Sequence, residues 1–299
     1  MGFFDIFKKK VASANNKKSL LIKAELERLA RNRIEVDVDE AGEILSPDAS
    51  KIGGKPFLPA DFEWPTFTNK DDGVSRPLSF FCQINLSQIA EYDTEKLLPE
   101  HGILSFFYEC ESFKWGFDPD DKGAARVFYF EDIAGFVPFE IPEDISDEYV
   151  MPELAVTFSA NKSYPHYEEL EIHSDLACEW EEYDDTLAEL GIDMSEDPEG
   201  HKILGYADVI QNEMLTECER VTRGLYCGDT ESYEKTSEAE AADIAKKASD
   251  WTLLLQLDTI EKDSFEWMFG DCGKLYFYIR KEDLAERRFE NIWFALQCG

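Results

Sequence analysis

Two stretches of this chain spell nearly the same pattern. Early on, SKIGG (50–54) is followed by LSFFCQINL (78–86) and then HGILSFFY (101–108). Later, HKILG (201–205) is followed by TLLLQLDT (252–259) and then CGKLYFYI (272–279). Aligning the middle pieces sets Phe80 against Leu253, Phe81 against Leu254, Cys82 against Leu255, Gln83 against Gln256, Ile84 against Leu257 and Asn85 against Asp258. From Gln83 to Gly102 is 19 residues, and from Gln256 to Gly273 is 17. Internal repetition of this kind predicts two related units, here about 34–140 and 200–299, facing each other about a pseudo-twofold axis.

The repeated pieces are strand-like. Runs rich in aromatic and β-branched residues, punctuated by Gly, Pro and Asp, recur at 78–86, 103–110, 125–130, 251–257, 274–279 and 293–298. Such runs belong to β-structure. IEVDVD (34–39) alternates Ile34, Val36 and Val38 with Glu35, Asp37 and Asp39, the pattern of a half-exposed strand. Helices are fewer. SLLIKAELERLARNR (19–33) brings Ile22, Leu26 and Leu29 onto one face, TSEAEAADIAKKASD (236–250) offers Ser237 as a cap, and a third helix is expected near Tyr183–Leu190. IPEDISDEYVMPE (141–153) reads as an acidic surface loop. The fold expected is mainly β, a roll or barrel-like sheet of two pseudo-repeated halves with an N-terminal helix and a few peripheral helices. Residues 1–18 form a basic tail ahead of one domain over 19–299.

Charge narrows the partners. Against 64 Asp/Glu stand 30 Lys/Arg, a formal charge of −34, while residues 1–35 hold nine Lys/Arg against four Asp/Glu. A field of that sign repels phosphate backbones and anionic lipid and attracts basic proteins, so nucleic acid is not an expected partner. Seven scattered cysteines without a CxxC pair point to a reducing, cytoplasmic setting. No apolar run of 18 residues occurs, so integral membrane association is not expected. The opening MGFFDIFKKK places Ile6 where a myristoylation signal needs Ser or Thr.

SKIGGKPFLP with the following EWP, then PLSFFCQINL, GILSFFY, LLLQLD, WMFGDCGKLYFYI and WFALQC, resemble the YwqG-like family of bacterial proteins. The resemblance runs from about residue 20 to 299. It implies a single mainly β fold of roll or barrel type, built from two similar halves, in a cytoplasmic protein. It supplies no catalytic residues to carry over.

Motifs for chemistry are sparse. KIGGKPFLP (51–59) lacks the Ser/Thr and the helix of a phosphate loop, and its prolines forbid regular pairing, so the Gly pair is read as a tight corner with Phe57 and Leu58 in the core. DPDDKG (118–123) opens like a calcium loop, but the twelfth position is Tyr129 rather than Glu. The four histidines show no zinc spacing, and neither metal nor cofactor is expected. Cys272 sits beside Asp271, which disfavours a thiolate.

Gln83, Asn85, Gln256 and Asp258 are the candidate ligand-binding residues, since the same polar positions recur in both units and could line a cleft between them. Asp271, in the GDCGK turn (270–274), joins them. The alternative role for all five is to satisfy backbone groups. CEWEEYDD (178–185) gathers five acids around Trp180 and Tyr183, a pattern suited to a protein contact. Two functions follow as expectations. The first is a non-enzymatic acidic module that binds a basic protein, for example neutralising a toxin such as a nuclease. The alternative is a small-ligand receptor or enzyme using the cleft.

Overall fold

The computed structural model describes residues 17–40, 45–192, 200–262 and 265–299. Ten strands form one sheet, every neighbouring pair antiparallel. In chain order they are β1 (Arg31–Glu40), β2 (Lys51–Ile52), β3 (Ser79–Asn85), β4 (Ile103–Tyr108), β5 (Ala125–Phe130), β6 (Leu154–Ser163), β7 (His201–Ile203), β8 (Trp251–Asp258), β9 (Lys274–Arg280) and β10 (Trp293–Gln297). Their spatial order is β10-β9-β8-β7-β1-β6-β2-β3-β4-β5. The list is symmetric about its centre: β1 to β5 map onto β6 to β10.

The registers agree strand by strand with that symmetry. Gln83 faces Lys51 on one side and Ser105 on the other, as Gln256 faces Lys202 and Tyr276. Both inner strands carry a bulge at the same place, between Phe80 and Cys82 and between Leu253 and Leu255. The residues skipped are Phe81 and Leu254, the pair that the sequence alignment matched. At a bulge two residues oppose one, so strict in-and-out alternation stops there. Strict alternation along LSFFCQINL would put Phe80 and Cys82 on one face, and the bulge at Phe81 ends it.

The first strands are exchanged between the halves. β1 pairs along ten positions with β6, from Arg31 opposite Ser163 to Glu40 opposite Leu154. Its other edge joins β7 of the second half, while β6 joins β2 of the first. Strand β6 lies in the stretch that sequence reading left between the two units. Its alternating Leu154, Val156, Phe158 and Ala160 carried the signal, and only Leu154 among them is fully buried.

The sheet curls into a nearly closed barrel whose inside is aromatic. Phe106 and Phe277, equivalent under the symmetry, meet edge-on at 5.2 Å between ring centres. Phe81 stacks on Phe269 at 5.6 Å, and Tyr108 meets Phe294 at 5.5 Å. Outside, the second half is covered by helices Leu215–Thr222 and Glu238–Ala248, which pack on Trp251, Tyr276 and Tyr278. The first half instead uses aromatic loops, with Phe62 and Trp64 against Phe107. The N-terminal helix, over 17–29, gives Ile22, Leu26 and Leu29 to a third cluster. It stops before Arg31, where β1 begins, three residues earlier than expected. Ser237 caps its helix through Glu240 as read from sequence. Gly53 and Gly54 both take left-handed backbone, at φ 63° and 67°. A side chain on Gly53 would strike the Pro152 carbonyl at 2.1 Å. Leu58 is buried and Phe57 half-buried, against Phe136.

Phe106→Ala or Phe277→Ala should each cost about 3–5 kcal/mol, because each leaves a void facing its partner ring. The double variant should cost less than the two together, since the rings share one contact. Urea unfolding followed by circular dichroism measures both. Strict additivity would place the two rings in separate environments.

Candidate functional site

Strands β3 and β8 each end beside segments that pass without pairing to them in the sheet, and such segments leave backbone groups in need of partners. Gln83 supplies them in the first half. Its Oε1 accepts from the Phe57 N–H at 2.8 Å, and its Nε2 donates to the carbonyls of Pro47 (2.8 Å) and Ala49 (2.7 Å). Gln256 repeats the arrangement. Its Oε1 accepts from the Asp208 N–H at 2.9 Å, while Nε2 donates to the Gly200 carbonyl (3.0 Å) and to Asp208 Oδ2 (2.7 Å). Phe57 and Asp208 each lie six residues beyond the matched lysines, Lys51 and Lys202. An amide offers two donors and one acceptor, which is why Gln suits both places.

Asn85 and Asp258 are matched too. The Asn85 N–H donates to Ser50 Oγ at 2.8 Å, and the Asp258 N–H to His201 Nδ1 at 3.0 Å. The Asn85 side chain donates to the Asp48 carbonyl, and the Asp258 carboxylate accepts from the Gly200 N–H at 2.8 Å. Asp258 also lies 3.6 Å from the buried Lys274 ammonium and borders a 370 Å³ groove with His201 and Lys262. Burial, then the charges of Lys262 and Lys274, hold His201 down at about 4, so it is neutral at pH 7. Asp271 stands exposed at its turn, beside Cys272 in left-handed backbone. Gln83 and Gln256 are both fully buried, with their polar atoms engaged.

Two buried lysines escaped the sequence reading. Lys51 pairs with Glu153 at 2.7 Å and Lys202 with Asp208 at 2.5 Å, each lysine nearly without solvent contact. Burial pulls Lys202 below the usual lysine range, and the Asp208 charge acts against that. The matching Lys in SKIGG and HKILG was visible, but lysine is so rarely buried that repetition was its only signal.

Replacing Gln256 by Leu strands the Asp208 N–H and the Gly200 carbonyl, at about 1–3 kcal/mol for each group left unpaired. Gln83→Leu should cost a similar amount by urea unfolding. A loss under about 0.5 kcal/mol in either would mean that water or a loop shift replaces the amide.

Glu169, in helix Tyr167–His173, is 1% exposed, and its Oε2 has no hydrogen-bond partner among the described residues. A small cavity beside it is bordered by Arg31, His173, Tyr206 and Tyr278. Burial, followed by the nearby Glu213 charge, raises the Glu169 carboxyl to about 8. The folded chain therefore holds a proton that the unfolded chain releases near pH 4.5. Stability from this group falls as pH rises between those two values. Glu169→Gln mimics the protonated acid. It should melt at a higher temperature than the parent at pH 8, with the gain shrinking toward pH 5. A gain independent of pH would show that Glu169 does not titrate in that window.

The acid-and-aromatic stretch read from sequence is a surface. Helix Trp180–Glu189 buries Tyr183, Thr186 and Leu187, and its first turn is closed by Glu182 accepting the Glu179 N–H at 2.9 Å. Trp180 remains 48% exposed, its ring braced edge-on by Tyr167 at 5.5 Å. Glu179, Glu181, Asp184 and Asp185 are all exposed around it. The braced ring is a rigid apolar anchor in an acidic frame. DPDDKG forms a short turn in which Asp118 accepts the Asp120 N–H and Asp121 lies 3.5 Å from Lys114. Among the described residues no group of three or more His, Cys, Asp or Glu could hold a metal ion, and no helix is long and apolar enough to cross a membrane. MGFFDIFKKK lies outside the described residues.

Residues 50–298 match the model of a family described as a domain of unknown function (DUF1963). No curated protein matches the chain.

Proposed function

The chain belongs to the family described as a domain of unknown function (DUF1963), and we propose that it is a non-enzymatic module that binds a basic protein through the Trp180 helix. The observation that carries this reading is the half-exposed Trp180 ring, braced by Tyr167 and framed by exposed acids. Aromatic anchors supply contact energy, and a field of one sign steers the encounter. The charge balance supports it as well. Many of the basic side chains are spent in ion pairs with the chain's own acids, including Arg33 with Glu35, Arg76 with Asp72 and Arg223 with Asp243. The excess acid faces outward. The polar residues repeated in the two halves are engaged largely by backbone groups.

The same reading takes the protein as a cytoplasmic one of the bacterial YwqG-like type. A partner whose own work needs a basic groove, such as a nuclease toxin, is the concrete case. The acidic helix would occupy that groove and exclude nucleic acid.

Native mass spectrometry of the gently purified chain tests the proposal, with Trp180→Ala and the pair Glu181→Lys, Asp185→Lys beside the parent. A stoichiometric basic protein should remain on the parent. Trp180→Ala should lose affinity by about tenfold or more, as for an aromatic hot spot. The charge-reversed variant should bind more slowly, and the parent's association rate should fall as salt rises. An adduct retained equally by all three forms would move the contact elsewhere, and a partner of acidic character would end the proposal.

A further inference from the structure

A cleft of about 530 Å³ lies between the two halves at the start of β1, apart from the 370 Å³ groove that Val36, Asp37 and Val38 border. Its volume falls in the range of small-molecule sites. The first half contributes the loop from Glu95 to Pro99, and the second contributes Thr252 and the helix Lys281–Ala285 with the turn after it. Arg31, the first residue of β1, stands between them.

The charge of this lining is the reverse of the molecule's. Arg31, Lys96, Lys281 and Arg287 meet one carboxylate, Glu95, in a chain of 64 acidic and 30 basic residues. The Glu95 carboxylate is already occupied by the Asn32 N–H at 2.6 Å. Among the described residues Arg31, Lys96 and Lys281 form no ion pair. The Arg31 guanidinium lies 4.9 Å over the Tyr206 ring, and the Lys281 ammonium donates to the Ser249 carbonyl at 2.6 Å. Arg287 holds Glu131 at 2.8 Å. Three cations without an ion pair gathered on one cleft, whose lining holds a single carboxylate, point to a charge supplied from outside.

The rest of the lining is apolar. Leu98 and Leu284 are buried beneath the cleft, and Leu97 stands at its mouth 39% exposed. Both walls are fixed by buried aspartates. Asp93 accepts the Leu98 N–H at 2.7 Å, closing the first loop. Asp283 accepts from Arg288 at 2.7 Å and from Asn291 at 2.8 Å, closing the second. Each loop holds one non-glycine residue in left-handed backbone, Lys96 at φ 53° and Arg287 at φ 60°. That conformation costs roughly 1–2 kcal/mol per residue, and the aspartate-closed turns hold it in place. Walls set in advance lower the ordering cost of binding.

We propose that this cleft binds a small amphiphilic organic anion, its carboxylate or phosphate head among Arg31, Lys96 and Lys281 and its apolar body on Leu97, Leu98 and Leu284. The site is separate from the Trp180 helix, which shares no residue with it. A protein that recognises a basic partner on one face then carries an anion receptor between its halves.

Fluorescence titration with the anionic probe 8-anilinonaphthalene-1-sulfonate tests it, with octanoate, octyl phosphate, octylamine and inorganic phosphate as competitors. The probe should bind at one per chain. Octanoate or octyl phosphate should displace it, the stronger of the two identifying the head, while octylamine and inorganic phosphate should not. Lys96→Glu and Lys281→Glu, both at exposed positions, should each weaken binding by about tenfold or more, as for loss of one charge-assisted contact. Lys122→Glu, exposed outside the cleft, should leave it unchanged. Circular dichroism of each variant confirms that the fold is intact. Displacement by octylamine, equal binding by the two cleft variants, or no binding of either octyl anion at millimolar concentration would each overturn the proposal. Inorganic phosphate competing as well as octyl phosphate would overturn the apolar half of the site.

Discussion

The ladder between β1 and β6 is the contact on which the rest of the barrel depends. It is ten residues long, it lies at the centre of the sheet, and each of its strands belongs by sequence to one half and by pairing to both. Without β1, strand β7 loses a neighbour and the second half ends in an open edge. Without β6, the same happens to β2. An exposed edge is a row of unpaired N–H and C=O groups. Neither half can therefore close its own sheet, and the duplication that looks like two units in sequence is one cooperative structure. The Phe106–Phe277 contact expresses the same constraint inside, where two equivalent rings pack on each other across the pseudo-axis.

Much of this was legible in the chain because strand signals are local. Phe, Tyr and Leu runs located six of the ten strands within a residue or two, and the Gln83–Gln256 alignment located the symmetry but not its bulges. What stayed hidden is non-local. β2 and β7 are two and three residues long, too short for any periodicity. The exchange of β1 and β6 depends on which half each strand pairs with, and no spacing records that. Gln83 and Gln256 could be seen as paired polar positions in strands. Their role depends on loops that arrive from thirty and fifty residues away, and the sequence could not say whether those loops would be there.

The pairs made by the two matched lysines show how the symmetry was used unequally. Lys51 and Lys202 hold matched places in β2 and β7, yet their acids come from different sources. Glu153 stands just before β6 and ties the first loop to the exchanged strand. Asp208 stands six residues beyond Lys202 and also receives the Gln256 amide, so the second lysine is closed within its own loop. A buried ion pair contributes little net stability, whereas losing one partner costs about 3–5 kcal/mol. Once both positions held lysine, an acid had to be retained nearby in each half, and the chain found two.

The same bookkeeping of charge separates the cleft from the surface. A chain with more than twice as many acids as bases has no shortage of carboxylates, and many of its cations end beside one. Cations gathered on one cavity without ion pairs repel one another unless something offsets their charge. Three such cations line the cleft where the Glu95–Pro99 loop of the first half approaches the Lys281 helix of the second. There the repulsion among them falls on the junction between halves. The Arg31 charge is one of the causes that hold the Lys281 ammonium below its usual range, after burial. An anion seated among them relieves that repulsion and joins the halves at the start of β1. The pseudo-symmetric barrel supplies the frame, and the departure from symmetry supplies the site.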